Sequence, residues 1–295
     1  MFKSGFIGII GRPNVGKSTL INALVGDKIA ITTHKPQTTR NRITGIKNMA
    51  DGQLIFIDTP GIHRAETPLN RSMVQAARDV LDGVDVVLLL IEAQTGIQAG
   101  DRYILEMLNG MPLPVILAIN KMDLVEKTKL LPLIDEARGL FPFRAIVPVS
   151  ALRDQGTEGL LGELAGTLPE GQPCFPEDIF TDRSERFIAA EIIRGKIMVL
   201  THKEVPYATA VVVDSFKEDE ARNLLRIAAT ITVEKESQKG IVIGKGGEML
   251  KKIGTQARQE LETFFAVKVF LELFVRVRKD WTHNEKMLKE FGYKN

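Results

Sequence analysis

The sequence predicts a mainly parallel α/β domain followed by a smaller α+β domain, and three observations predict it. Apolar strand-like runs alternate with helical stretches from residue 5 to about 168, the rhythm of a parallel sheet covered on both faces. A glycine-rich octapeptide, Gly11-Arg12-Pro13-Asn14-Val15-Gly16-Lys17-Ser18, separates the first apolar run from the first helical one. The segment 169–176 carries three prolines in eight positions, and another rhythm begins after it. Prolines at that density make a stiff linker. The expected division is therefore 1–170, a linker over 171–183, and 184–295.

In the first domain, the run 6–10 reads as a buried strand and 18–25 as a helix. Strands follow at 41–47, 54–58, 84–92, 113–119 and 145–149. Helices are expected at 69–81, 100–108, 129–140 and 158–168. In the second domain, Ile188, Ala189, Ile192, Ile193 and Ile197 recur at helical spacing over 185–200. Strands at 207–216 and 227–235 are rich in β-branched residues. A helical region broken over 241–247 resumes at 248–264, a strand spans 266–278, and a short helix lies near 283–291. The order is α-β-β-α-α-β.

The octapeptide has the pattern G-x-x-x-x-G-K-S with a strand before it and a helix after it, the context of a phosphate-binding loop. Backbone N–H groups of the loop and the helix N-terminus, through Thr19, would surround the phosphates. Lys17 would place its charge at the β and γ phosphates, and Ser18 would ligate Mg²⁺. The second strand ends in Asp58-Thr59-Pro60-Gly61-Ile62. Asp58 can hold Mg²⁺ through water, and Gly61 lets a backbone amide approach the γ-phosphate. The strand at 113–119 ends in Asn120-Lys121-Met122-Asp123. Asp123 can accept hydrogen bonds from guanine N1–H and the 2-amino group, which adenine lacks. Lys121 would lie along base and ribose, and Asn120 would tie this loop to the phosphate loop. Ser150-Ala151-Leu152 would offer backbone donors to guanine O6. Three motifs in this order, each at a strand's C-terminal end, make a guanine-nucleotide hydrolase domain at the ligand-binding edge of an α/β sheet.

A net charge of +2 argues for no global attraction to nucleic acid, and the one cysteine, Cys174, excludes an internal disulfide or a multi-cysteine metal site. Residues 1–5 run straight into the first strand, so no signal peptide is expected. No run reaches the roughly 20 apolar residues of a membrane span. A soluble cytoplasmic protein is expected.

In the second domain, Gly244-Lys245-Gly246-Gly247 joins two helices. A G-x-x-G loop so placed is how KH domains clamp single-stranded nucleic acid. Lys245 adds a charge, and Ile241 and Ile243 could wall a groove for bases. The same four residues also suit a plain helix-capping turn. From Lys239 onward there are twelve Lys and Arg against seven Asp and Glu, an excess that also suits a solvated surface.

GRPNVGKS, the segment from Lys35 to Arg40, DTPG, NKMD, SAL, GIVIGKGG and the closing VRKDW together resemble the Era family of bacterial ribosome-assembly GTPases. The resemblance covers essentially the whole chain. It implies a P-loop GTPase domain followed by a type II KH domain. It also implies GTP hydrolysis, binding of the 3′ end of 16S ribosomal RNA, help in small-subunit maturation and peripheral membrane association. Thr39 matches the family's switch threonine, which would join Ser18 at Mg²⁺, with Thr38 the next choice. Lys17, Thr39 and Gly61 are the expected catalytic residues. Many GTPases carry a water-orienting glutamine where this chain has Ile62, so slow basal turnover is expected from a monomer. Asn14, as in potassium-activated relatives, would hold K⁺ against the phosphates or only brace the loop. A protein-binding or membrane-binding C-terminal domain is the alternative function.

Overall fold

The computed structural model describes residues 1–26, 29–33, 35, 38–62 and 68–293. The chain divides into two compact units. One comprises Met1–Ala30, Thr39–Ala65 and Met73–Asp182, the other Ile31–Thr38, Glu66–Ser72 and Arg183–Asn295.

The first unit is built on a six-stranded sheet. Its strands are β1 (Lys3–Gly11), β2 (Ile43–Met49), β3 (Gly52–Asp58), β4 (Val86–Glu92), β5 (Val115–Asn120) and β6 (Ala145–Pro148), in the order β2-β3-β1-β4-β5-β6. Only the β2–β3 pair is antiparallel. Strands β3, β4 and β5 are buried almost end to end, as parallel strands covered on both faces must be. The helices are α1 (Lys17–Val25), α2 (Pro68–Leu81, of which Met73 onward belongs to this unit), α3 (Ala99–Leu108), α4 (Lys127–Leu140) and α5 (Thr157–Thr167). Because β1 pairs with β3 on one side and β4 on the other, the loop after β1 opens where the chain's winding reverses. Such a switch point is where open α/β sheets leave a crevice for ligands.

In the second unit, β7 (Ala210–Asp219) pairs antiparallel with β8 (Leu224–Val233), and β8 pairs parallel with β9 (Lys268–Val277). Helices α6 (Glu185–Leu200), α7 (Glu236–Ile243) and α8 (Glu248–Phe265) belong to this unit, with α9 (Glu285–Glu290) near the end. Alternate residues of β8, from Leu225 to Val233, are buried with Ile188, Ile193, Ile253, Ala257 and Leu261. The fully buried Trp281 donates its indole N–H to the Ala208 carbonyl at 3.0 Å. Both strands of the hairpin sit about three residues from their expected positions. The Tyr207 and Ala208 amides turn back to the Glu204 carbonyl, which delays β7. Asn223, in the left-handed region at φ 46°, turns the chain early into β8.

The stiff linker expected over 171–183 is bonded to the first sheet between residues 174 and 181. The Gln53 side chain, fully buried, accepts from the Cys174 and Phe175 amides at 2.7 and 2.9 Å and donates to the Phe175 carbonyl at 2.8 Å. Ile46 donates to the Phe180 carbonyl, and Thr181 Oγ1 to the Thr44 carbonyl at 2.7 Å. Proline density marked the segment as irregular, and one buried glutamine makes that segment part of the unit. Gln53→Ala should leave two amides and a carbonyl without protein partners and lower the unfolding free energy by about 2–3 kcal/mol. Urea denaturation of the two proteins checks this.

Candidate functional site

The loop after β1 is shaped by backbone conformations that favour glycine and asparagine. Gly16 and Asn14 have φ of 99° and 66°. A Cβ on Gly16 would run into Asn120 Nδ2, so the loop closes only around glycine. Lys17, the first residue of α1, is buried, and its ammonium donates to the Gly11 and Arg12 carbonyls at 3.1 Å each. These are acceptors it can exchange for phosphate oxygens.

Three oxygen groups converge beside it. Ser18 Oγ lies 2.7 Å from Thr39 Oγ1, and both hydroxyls reach Asp58 Oδ2, at 2.9 and 3.1 Å. Asp58 is fully buried, and its Oδ1 has no hydrogen-bond partner. An orphaned buried carboxylate oxygen beside two hydroxyls is the donor set of a hard divalent cation. Thr39 stands at this cluster. Thr38 is spent elsewhere, on Thr33 Oγ1 at 2.8 Å and the Lys35 carbonyl at 2.7 Å.

Burial dominates the electrostatics. It lowers the Lys17 pKa from 10.5 to about 8, against the attraction of Asp58, and it raises that of Asp58.

The base loop is tied to the phosphate loop by Asn120, whose Nδ2 donates to the Val15 carbonyl at 2.9 Å and whose Oδ1 accepts from the Ala151 amide at 3.0 Å. Asp123 lies exposed just beyond. The Ser150 amide is engaged with the Gln155 carbonyl. Of the three amides expected to face guanine O6, Ser150 and Ala151 thus have internal partners. Gly61 lies against the phosphate loop, where an added Cβ would sit 2.7 Å from Pro13 N. The Ile62 side chain is core, 1 % exposed, and its amide donates to the Gly11 carbonyl at 3.1 Å; only its backbone faces the loop. His63 lies outside the described residues.

Two acidic residues carry positions that the motifs did not reveal. Glu92, at the end of β4, pairs with Lys121 at 3.2 Å. Asp101, in the first turn of α3, pairs with Arg12 at 2.8 Å. Each lies outside every recognisable pattern, and only the adjacency of β4 to β1 and β5 could have suggested them.

In the second unit, Gly244-Lys245-Gly246-Gly247 joins α7 to α8. Gly244 has φ 74° and ψ 172°, a conformation open essentially to glycine alone. A Cβ there would lie 2.8 Å from the Met249 amide nitrogen. Above Gly246 and Gly247 nothing lies within 4 Å of an added Cβ, so the outer side of the loop is open. Lys245 is exposed, Ile241 is 50 % exposed and Ile243 partly so, while Val242 between them is buried.

The buried lysine makes nucleotide binding pH-dependent. A polyanion favours the ammonium form, so binding above pH 8 must take up a proton. GTP affinity should fall as pH rises from 8, approaching tenfold per unit. Titration calorimetry at pH 8.5 in buffers of different ionisation enthalpy should register that uptake. In the ligand-free protein the sign is reversed. Folding releases this proton between pH 8 and 10.5, so Lys17 contributes stability that grows as pH rises through that window.

Residues 6–121 match the model of the 50S ribosome-binding GTPase family, and residues 204–282 match the KH domain. The chain is 61 % identical to the GTPase Era of Syntrophus aciditrophicus, over 99 % of this chain and 96 % of that protein. It is 60 % identical to the GTPase Era of Geotalea uraniireducens, over 99 % and 98 % of the two chains. Among solved structures it is similar to an Era in complex with MgGDPNP and nucleotides 1506–1542 of 16S ribosomal RNA, at 43 % identity, TM-score 0.97 and full coverage of both chains. An Aquifex aeolicus Era variant bound to GDP·AlF4⁻ matches equally well. With a P-loop GTPase fold, a C-terminal KH domain and identities of this size from end to end, the chain belongs to the Era family of GTPases.

Proposed function

We propose that this chain is a GTP-hydrolysing switch that binds the single-stranded 3′ end of 16S ribosomal RNA and assists maturation of the small ribosomal subunit. What carries the reading is the presence, in one chain, of a phosphate loop with a cation-binding oxygen cluster and an open G-x-x-G loop between two helices. The functional division follows residues 1–170 and 184–295, with 171–183 joining them. The work is cytoplasmic and needs one copy of the chain. Peripheral membrane contact rests on the resemblance alone, and among the described residues no helix is long and apolar enough to cross a membrane.

In the reaction, Lys17 would leave the Gly11 and Arg12 carbonyls for the β and γ phosphates. Ser18 and Thr39 would hold Mg²⁺, with Asp58 acting through water. Bound there, the ion supplies positive charge against the phosphate oxygens. Loop amides from Gly11 to Thr19 would hold the phosphates, and the Gly61 amide the γ-phosphate. Asp123 would read the guanine edge, Lys121 would lie along the base, and the amide of Leu152 remains for O6. Water attacks the γ-phosphate, and Ile62, buried in the core, cannot orient it.

Asn14 is exposed on the phosphate loop in a left-handed conformation, where its amide oxygen could share K⁺ with the phosphates. A cation so placed would act as an arginine finger does, at roughly 10³–10⁵ in rate when fully effective. Hydrolysis should run faster in K⁺ than in Na⁺ at matched ionic strength, and Asn14→Ala should erase the difference. Equal rates in the two salts would remove K⁺ from the mechanism.

The two functions should separate by mutation. Gly246 sits at φ 61° with open space around it, a conformation that aspartate tolerates better than most residues. Gly246→Asp should fold normally, repel the RNA backbone and abolish RNA binding, while intrinsic GTP hydrolysis stays within about twofold. Lys17→Ala should do the reverse. Filter binding and phosphate release on the same preparations measure both. Normal RNA binding by Gly246→Asp would reduce the loop to a helix connection and favour a protein or membrane partner.

A further inference from the structure

We infer that Asp101 is a positioning residue for GTP hydrolysis, acting through Arg12 to fix the part of the phosphate loop on which Gly61 rests. The inference deepens the nucleotide reading above and rests on it.

Asp101 is fully buried in the first turn of α3. Both of its oxygens accept from Arg12 Nε at 2.8 Å, and Oδ2 also accepts from the Gln98 amide at 2.9 Å. Arg12 donates further to Thr95 Oγ1 at 3.2 Å. A charge-assisted pair with one partner wholly desolvated is held far more tightly than a surface ion pair. Arg12 is therefore anchored to the β4–α3 segment and is not free to swing to the phosphates as an arginine finger.

What the anchor holds is the backbone of the loop. The Arg12 carbonyl is one of the two that accept from the Lys17 ammonium. The next residue, Pro13, is the surface against which Gly61 lies, close enough that only a glycine fits there. Gly61 belongs to the segment that would meet the γ-phosphate, a group present in GTP and absent from GDP. A shift of Arg12 and Pro13 thus falls on the GTP-specific contact, while loop amides near Gly16 that bind shared phosphates lie farther along.

Gly100 has a matching reason to be glycine. It precedes Asp101 within α3, and a Cβ there would lie 2.7 Å from Arg12 Cδ and 3.1 Å from Cγ. The arginine stem crosses the first turn of the helix through the space that this missing side chain leaves. Gly100 is not in a left-handed conformation, and alanine is the better helix former, so helix geometry alone does not ask for glycine.

The test uses the full chain and three single variants, Asp101→Asn, Arg12→Gln and Gly100→Ala, with the Asp101→Asn/Arg12→Gln double. Asparagine keeps an acceptor for the Gln98 amide, and Gly100→Ala removes no polar group, so a folding failure in one variant leaves two others. The readouts are kcat and KM for GTP, equilibrium affinities for GDP and for a non-hydrolysable GTP analogue, and the thermal midpoint. Each variant should lower kcat about tenfold, a loss in keeping with small misplacements at a reacting centre. Each should also lower the analogue-to-GDP affinity ratio several-fold, with GDP affinity within twofold of wild type. The double variant should be no worse than the worse single, since both remove one interaction. Equal weakening of GDP and analogue would mean that the pair only supports the fold. Wild-type kcat and affinity ratio would leave Asp101 as a helix cap alone. Multiplying effects in the double variant would mean that the two residues act separately. If no protein, wild type included, binds guanine nucleotide, the nucleotide reading itself fails.

Discussion

A lysine ammonium held inside protein, within the field of a buried carboxylate, is the constraint that orders the nucleotide unit. Desolvating Lys17 costs enough to bring its pKa to about 8, and two loop carbonyls offset part of that cost. Those carbonyls point inward only because the loop turns through backbone conformations suited to Gly11, Asn14 and Gly16. Asp58 is equally out of place without a cation, with one oxygen unpartnered and the other receiving two hydroxyls. Each group is poorly satisfied alone, and a phosphate with its metal ion would satisfy both. Two buried groups with pKa values pushed in opposite directions by desolvation thus meet at one loop, as they commonly do at functional sites.

The second unit depends on a different constraint, the close approach of two helices. Helix α7 must end and α8 begin within four residues, and the turn passes through a backbone state that Gly244 alone can take, against Met249. The glycines beyond it face open space. One glycine is therefore needed for packing and the next two leave backbone accessible. Val242 fixes α7 in the core while Ile241 and Ile243 remain on the side toward solvent. A loop anchored on one side and bare on the other suits contact with a sugar-phosphate chain.

What the sequence disclosed was local. Strand, glycine loop and helix follow one another within twenty residues, and N-K-x-D closes a strand, so these motifs could be placed before any fold was known. The α-β-β-α-α-β order was likewise legible, because β-branched runs and helical spacing are read within a short window. Two of the misses involve partners far apart in the chain. Gln53 captures a bent segment some 120 residues later, and no pattern at either end announces it. Arg12 meets Asp101 across 89 positions. Hairpin positions slipped because a turn at 204–208 and a left-handed asparagine at 223 outweighed β-propensity.

Ile62 brings these levels together. At the position where many GTPases present a polar side chain to water, this chain sends isoleucine into the buried cluster that also holds Ile10, Ile91 and Ile104. Its amide is also bound to the Gly11 carbonyl. Ile62 thus fastens the segment following Asp58 to the phosphate loop by backbone and to the core by side chain. These attachments hold Gly61 against Pro13, a placement useful only if the loop beneath it is equally fixed. The Asp101–Arg12 pair supplies that fixation from the first turn of α3. The arrangement favours positioning of phosphate over activation of water, since the Ile62 side chain is committed to the core.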